Sequence, residues 1–345
     1  MVASVGRITA GSGYDYLTRE VATSKHDYYT GNGEAPGVWV GRGSAILGLA
    51  GEVDADDVAV LYGRFVVPST AGGTRLPSGR WQPEQVLGRK VAARRRADGS
   101  IAEPVAAFDV TFSPSKSVSI LWGLSSDEHV RRAVIEAHEA AVATGLDYLD
   151  RVAGHTRAGV AGIRKVAGDG FVIAQFRHRT SRSTDPAIRV GDPQLHSHCA
   201  ILNRIRGADG KWRTLDSRAI YRHAHAAGAI YGATLERELT ERLGVSWTTP
   251  EQRVPMREID QIPQTLIDQF STRRAAVLEH FDSLEADWRK IHGRTPTRAE
   301  RAGMMDEATT RSRHRKSGSA VDLHEQWRAA SASEELDAVA SAVGH

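Results

Sequence analysis

The stretch HSHCAILNRI, residues 196–205, decides how the chain is read, because two histidines two positions apart are followed by an apolar run. Successive side chains of a strand alternate between faces, so His196 and His198 project to one side of an extended segment. Two further stretches read as buried or half-buried strands, VAAFDVTFS at 105–113 and GFVIAQFRHRT at 170–180. Between these two, a helix is expected over residues 126–152. SSDEH gives it an N-cap signal, and Val130, Val134, Ala137, Ala141 and Leu146 recur at roughly helical spacing. A second helix is expected over 219–243 and a charged helical tail over 264–340, with breaks near 293–296 and 317–319. Strands first and helices later define an α+β fold. The glycine-rich segments 30–53 and 68–104 read as connections and not as core.

A chain of 345 residues with 41% hydrophobic content can bury a substantial core, which argues against disorder as the dominant state. It has no apolar run long enough to span a bilayer and no secretory leader pattern, so the expected setting is cytoplasmic, without membrane insertion. The final SEELDAVASAVGH has no stop signal, and the sequence is expected to be the N-terminal part of something longer. The single cysteine, Cys199, excludes an internal disulfide framework and a multi-cysteine zinc site. A metal would therefore need histidine, aspartate or glutamate ligands. No GxxxxGK[ST] phosphate loop is present, which excludes a motor ATPase in this piece. The net charge of +3 and pI of about 9.0 favour an anionic partner. The basic residues cluster at Arg89-Lys90, at Arg94-Arg95-Arg96, and at Arg311, Arg313, Arg315 and Lys316, each cluster readable as a solvated face or as a phosphate contact.

His196 and His198 suit two imidazole ligands on one metal, and His178, near the end of the preceding strand, would join them if the strands are antiparallel neighbours. Any one of these histidines alone is more simply a satisfied core or surface residue. Asp109 lies inside an otherwise apolar strand, where a carboxylate needs a partner: an arginine if its role is structural, a ligand histidine if it is functional. Three histidines with open positions around an ion suit activation of a phosphodiester as well as hydrolysis by bound water, and the nucleophile decides between them. Half of the eight tyrosines, Tyr14, Tyr16, Tyr28 and Tyr29, fall within sixteen residues near the N-terminus. They form either an aromatic stripe or a supply of nucleophiles beside the metal.

The segments ITAGSGYDYL, HDYYTGNGEAPGVWVGRGSAILGLAGEV, FDVTFSPSKSVSILWGL, FRHRTSRSTDP and PQLHSHCAILNRIRGADGKWRTLDSRAIY resemble, in order, the successive motifs of TrwC/TraI-type conjugative relaxases of the HUH endonuclease superfamily. The resemblance spans roughly residues 5 to 235. It implies a central antiparallel β-sheet palm flanked by helices, with C-terminal helical fingers that close over single-stranded DNA. Residues 1–245 would form the catalytic palm and 246–345 a DNA-clamping helical extension. It places the catalytic tyrosine at Tyr16 and a second tyrosine pair at Tyr28 and Tyr29, of which Tyr28 is favoured. The metal ligands fall on His178, His196 and His198, and the histidine-orienting acid on Asp109. Phosphate contacts are expected from Lys116, Arg182, Arg313 and Arg315. The implied cofactor is a divalent ion, magnesium, manganese or zinc, and the substrate is single-stranded or hairpin DNA at a transfer origin. Relaxosome accessory proteins and a type IV secretion coupling protein are the implied partners. Departures are Leu17 after Tyr16, where the family often has a second tyrosine, and the lengthening segments REVATSKH and PAIRVG. Competing readings are a rolling-circle replication initiator of the same superfamily, a DNA-binding module without catalysis, and an unrelated three-histidine hydrolase of small molecules.

Overall fold

The structure, a computed structural model, describes residues 3–10, 13, 35–68, 85–89, 93–95, 97–182, 191–249, 256–312 and 322–344. The chain begins with β1 (Ala3–Thr9), β2 (Val38–Val40), α1 (Arg42–Ile46) and α2 (Ala55–Arg64). A two-residue hairpin, β3 (Arg94–Arg95) and β4 (Ile101–Ala102), precedes β5 (Val105–Phe112), α3 (Lys116–Leu124) and the long α4 (Glu128–Ala153). Next come the hairpin of β6 (His155–Ala158) and β7 (Arg164–Ala167), the long strands β8 (Ile173–Thr180) and β9 (Pro193–Leu202), and a small hairpin of β10 (Ile205–Arg206) and β11 (Trp212–Arg213). Six helices follow from here to the end of the described chain. They are α5 (Arg218–Leu243), α6 (Gln264–Gln269), α7 (Thr272–His292), α8 (Arg298–Arg311), α9 (Leu323–Ala329) and α10 (Ser333–Ser341).

The main sheet runs β1-β5-β9-β8-β2, and every neighbouring pair is antiparallel. Both faces are covered, which explains why its central strands carry apolar residues at nearly every position. One face presents Phe108, Val110 and Phe112 of β5 with Leu195, Cys199 and Ile201 of β9, and these join Val134, Ala137 and Ala141 of α4 and Tyr231 and Leu235 of α5 in the larger core. The opposite face presents Ala107, Ala174, Phe176, Ala200 and Leu202 to Trp39, Leu47, Leu49, Val58, Leu61 and Tyr62 in a second core. Tyr62 of α2 fixes that layer, since its buried hydroxyl donates to the Ala200 carbonyl at 2.7 Å and accepts from the Ala174 amide at 3.1 Å.

The helix expected over 126–152 is α4, which starts where the Asp127 side chain accepts from the His129 amide at 2.7 Å. The helix expected over 219–243 is α5, which ends on Gly244 in the left-handed conformation. The reading of 30–53 as mere connection is corrected for its described part, because β2 pairs with β8 at the sheet edge and Trp39, Leu47 and Leu49 are buried. The glycines there mark tight packing. A Cβ on Gly41, whose φ is +92°, would stand 2.5 Å from the Phe171 carbonyl oxygen, and one on Gly43 would stand 2.5 Å from that of Gly170. The strand β1 and the helix α2 were not anticipated.

The expected helical tail is five helices with different attachments. Its break near 293–296 is real: α7 ends at Gly293, and α8 starts from a Thr297–Glu300 capping box. The break at 317–319 lies outside the described residues. Leu266, Ile267 and Phe270 at one end of this region, and Leu323, Trp327 and Val339 at the other, belong to the main core. Between them α7 and α8 form a separate small cluster of Phe281, Met304 and Ala308. No described helix is long and apolar enough to cross a membrane.

Candidate metal centre and its surroundings

The register of β8 against β9 sets His178 directly opposite His196. His198, two residues along β9, falls on the same face by the alternation of the strand. The three rings stand 4.9 to 5.3 Å apart between centroids, and one nitrogen from each lies within 4.8 Å of the others. One ion at about 2.1 Å from each nitrogen needs nitrogens roughly 3 to 4 Å apart, a closure within reach of small ring rotations.

Their hydrogen bonds prepare the rings for that role. Nδ1 of His198 meets Asp109 Oδ2 at 2.7 Å and Thr111 Oγ1 at 3.1 Å, and Nδ1 of His196 meets the Gln194 carbonyl oxygen at 2.8 Å. A carbonyl or carboxylate can only accept, so in each ring Nδ1 carries a proton, and Nε2 is the nitrogen left to ligate. Asp109 sits opposite Ala200 on β5, and Thr111 sits opposite His198, so β5 supplies the row of partners behind the ligand strand. Asp109 is buried, and its carboxylate fixes the orientation of the ring it holds. The donor set is that of a divalent cation site with open positions: three neutral imidazoles, two of them held by an acceptor at Nδ1. Sequence reasoning missed Thr111 and the Gln194 carbonyl. The signal for Thr111 was present, because it follows Asp109 by two residues and shares its face.

The other expected site residues distribute differently. Tyr16, Tyr28, Tyr29, Arg313 and Arg315 lie outside the described residues, as does Tyr14. Lys116, expected to contact phosphate, is half-buried at the start of α3, and its ammonium donates to the Pro193 carbonyl at 2.9 Å. Burial lowers its pKa to about 8 against the opposing pull of Asp192 and Glu258. That placement directs the Lys116 ammonium to the root of β9. Arg182 is half-buried two residues beyond β8. Arg311 is paired with Glu307 at 2.6 Å. Beyond the opposite end of β9, a cleft of about 670 Å³ gathers Arg89, Arg157, Arg204, Arg213 and Arg218 around Trp212. Asp216 pairs with Arg157 and Arg218, and Asp209 with Arg213, while Arg204 donates to the carbonyls of Leu87 and Asn203.

An antiparallel palm whose inner strand offers His-x-His to a third histidine on its neighbour, with a carboxylate behind, resembles the HUH class of endonucleases. The chain belongs to the TrwC relaxase family, whose model matches residues 10–333. It is 30% identical over 282 residues to the multifunctional conjugation protein TraI of Escherichia coli strain K12, an alignment covering 79% of this chain and 13% of that protein. The chain thus spans about one eighth of the curated relatives it matches. Among solved structures it is similar to the conjugative relaxase TrwC in complex with oriT DNA. The copper-bound form has 26% identity and a TM-score of 0.68, with 97% of this chain and 98% of that one covered. The metal-free form has 27% identity and a TM-score of 0.66, with 95% and 96% covered. A third TrwC structure holds a 27-mer with the recognition hairpin and the cleavage site, at 26% identity and a TM-score of 0.65, covering 97% of this chain and 98% of that one.

Proposed function

We propose that this chain nicks and rejoins one strand of transfer-origin DNA by tyrosine transesterification. The observation that carries the reading is the three-histidine face of β8 and β9 with Asp109 behind His198. His178, His196 and His198 would hold a divalent ion, which supplies Lewis-acid polarisation of a non-bridging phosphate oxygen. Asp109 holds the His198 ring in the tautomer and orientation that ligation needs, and Thr111 and the Gln194 carbonyl limit ring rotation. The Tyr16 hydroxyl is the nucleophile. Its oxygen bonds to phosphorus, the bond from phosphorus to the 3′ oxygen breaks, the phenolic proton passes to solvent or a base, and the 3′ oxygen takes up a proton from solvent or that base and leaves as a hydroxyl. The phosphotyrosine retains the bond energy, so the reverse reaction reseals the strand. Tyr28, with Tyr29 beside it, serves a second transfer step.

The TrwC structures with oriT DNA support single-stranded or hairpin origin DNA as the substrate, and their metal-bound and copper-bound forms support a divalent ion, with magnesium, manganese and zinc the physiological choices. Residues 1–245 act as the catalytic palm and 246–345 as the DNA-clamping extension, with Lys116, Arg182, Arg313 and Arg315 on phosphates. Relaxosome accessory proteins and a type IV coupling protein would be partners in the cytoplasm.

The test is to incubate the protein with single-stranded origin DNA and manganese and to look for a denaturation-resistant adduct. Tyr16→Phe should abolish the adduct, while Tyr28→Phe should form it and fail to transfer the strand to a labelled acceptor. A full-strength adduct from Tyr16→Phe, lost in Tyr14→Phe or Tyr28→Phe, would reassign the nucleophile. Absence of any adduct, with hydrolysis of small phosphodiesters instead, would favour the three-histidine hydrolase.

A further inference from the structure

Behind the histidine face, on the side of the sheet covered by helices, lies a polar network that none of the chemistry above uses. Ser197 stands between His196 and His198 and points the opposite way, into the main core. Its Oγ is 2.8 Å from Nε2 of His138 on α4, and Nδ1 of His138 is 2.8 Å from the hydroxyl of Tyr231 on α5. All three residues are fully buried. The next residue of α4, Glu139, pairs with Arg177 of β8. Arg177 is the direct cross-strand partner of Ser197 and immediately precedes His178. One turn of α4 therefore grips both members of a cross-strand pair, and each member is bonded in sequence to residues of the histidine cluster.

The simplest account is that these are buried polar groups that happen to be satisfied. Their surroundings argue for more. The neighbouring layer is Val134, Ala137, Ala141, Phe112, Leu195 and Cys199. Buried imidazole and hydroxyl groups cost stability in such a layer unless every partner is present. Apolar side chains would fill the same space without that risk, but an apolar contact tolerates sliding by fractions of an ångström. A hydrogen bond at 2.8 Å fixes distance and direction. We infer that His138, Ser197 and Tyr231, with the Glu139–Arg177 pair beside them, are positioning residues that hold β9 and β8 at the height and register needed for the three imidazoles to share one ion. The inference rests on the reading of His178, His196 and His198 as metal ligands.

The experiment measures manganese affinity of the full chain by calorimetric titration, together with Tm, for Ser197→Ala, Tyr231→Phe and a core control, Leu149→Val. Leu149 lies in the same core on α4, eleven residues or about 16 Å along the helix from His138. Ser197→Ala should weaken manganese binding by about tenfold, and Tyr231→Phe, which acts through His138, by a smaller factor. Leu149→Val should lower Tm without changing affinity. Ser197→Ala and Tyr231→Phe proteins that fold and bind manganese within twofold of the parent would overturn the inference, as would an equal loss of affinity in Leu149→Val. Tyr231→Phe keeps the ring and carries the test alone if Ser197→Ala does not fold. A parent that binds no manganese, indistinguishable from His196→Ala, would overturn the ligand reading itself and this inference with it.

Discussion

Asp109 has two jobs that can be separated by one atom. As a carboxylate it accepts the Nδ1 proton of His198 and places a negative charge against the ring. Asp109→Asn keeps the shape and can still accept that proton, but it loses the charge. Manganese affinity is expected to fall about tenfold and adduct formation to slow, whereas His178→Ala, His196→Ala or His198→Ala should abolish both. Titration of the four variants checks this, and unchanged affinity in Asp109→Asn would make the residue structural. His138 makes a different prediction. Burial holds its pKa down at about 3, with the charge of Arg177 acting in the same direction. The unfolded chain takes up a proton at this residue near pH 6.5, so between that value and about 3 the unfolded state binds more protons than the native state. Its contribution to stability is therefore complete above pH 6.5 and is lost as the pH falls. Burial also lowers the pKa values of His155 and His324, so the measurement is a difference. The acid limb of denaturation midpoint against pH should be shallower for His138→Gln than for the parent by the equivalent of up to one proton.

Glycine usually weakens a helix, and at two positions in this protein the effect should have opposite signs. Gly145, in the middle of α4, lets the helix approach the sheet, because a Cβ there would lie 2.9 Å from Phe112 Cε1 and 3.4 Å from the Ala227 carbonyl oxygen. Gly145→Ala should destabilise by about 1 to 3 kcal/mol despite its better helix propensity. Gly303 on α8 has nothing within 4 Å of its missing Cβ, and Gly303→Ala should stabilise by up to about 1 kcal/mol. Urea midpoints of the two variants against the parent decide both. The same contrast explains what the sequence could reveal about the elements. The strands β5, β8 and β9 and the helices α4 and α5 announce themselves through sustained apolar periodicity and capping signals. The strand β2 and helix α1 do not, since they are three and five residues long and their glycines record contacts made with Phe171 and Gly170, far away in sequence. His178 could be matched to His196 from spacing, but the bond from Lys116 to the Pro193 carbonyl could not, because it depends on how the fold brings α3 to the root of β9.

At the scale of the whole molecule the C-terminal region is anchored at both ends to the main core, through Leu266 and Phe270 near its start and Trp327 and Val339 near its end. The pair α7 and α8 rests on a small cluster of its own. Local opening depends on how much apolar surface must be exposed, so amides of α7 and α8 should exchange with deuterium well before those of α4, α5 and β9 in the free protein. Mass-spectrometric exchange over minutes to hours tests this, and equal protection would mean that these two helices open together with the main core. Sequence periodicity showed that this region is helical, but not which helices join the main core, because that depends on where the chain returns. Cys199 supplies the means to follow such motion. It is the chain's one thiol, fully enclosed on the core side of β9, and burial raises its pKa well above the usual value. Maleimide dyes would pass it by in the folded protein. Cysteines introduced at exposed Ala143 and at Gly303 would then be the only ones to react, giving a ready-made pair of fluorophore positions, one on α4 and one on α8, whose separation can be compared with and without DNA one molecule at a time.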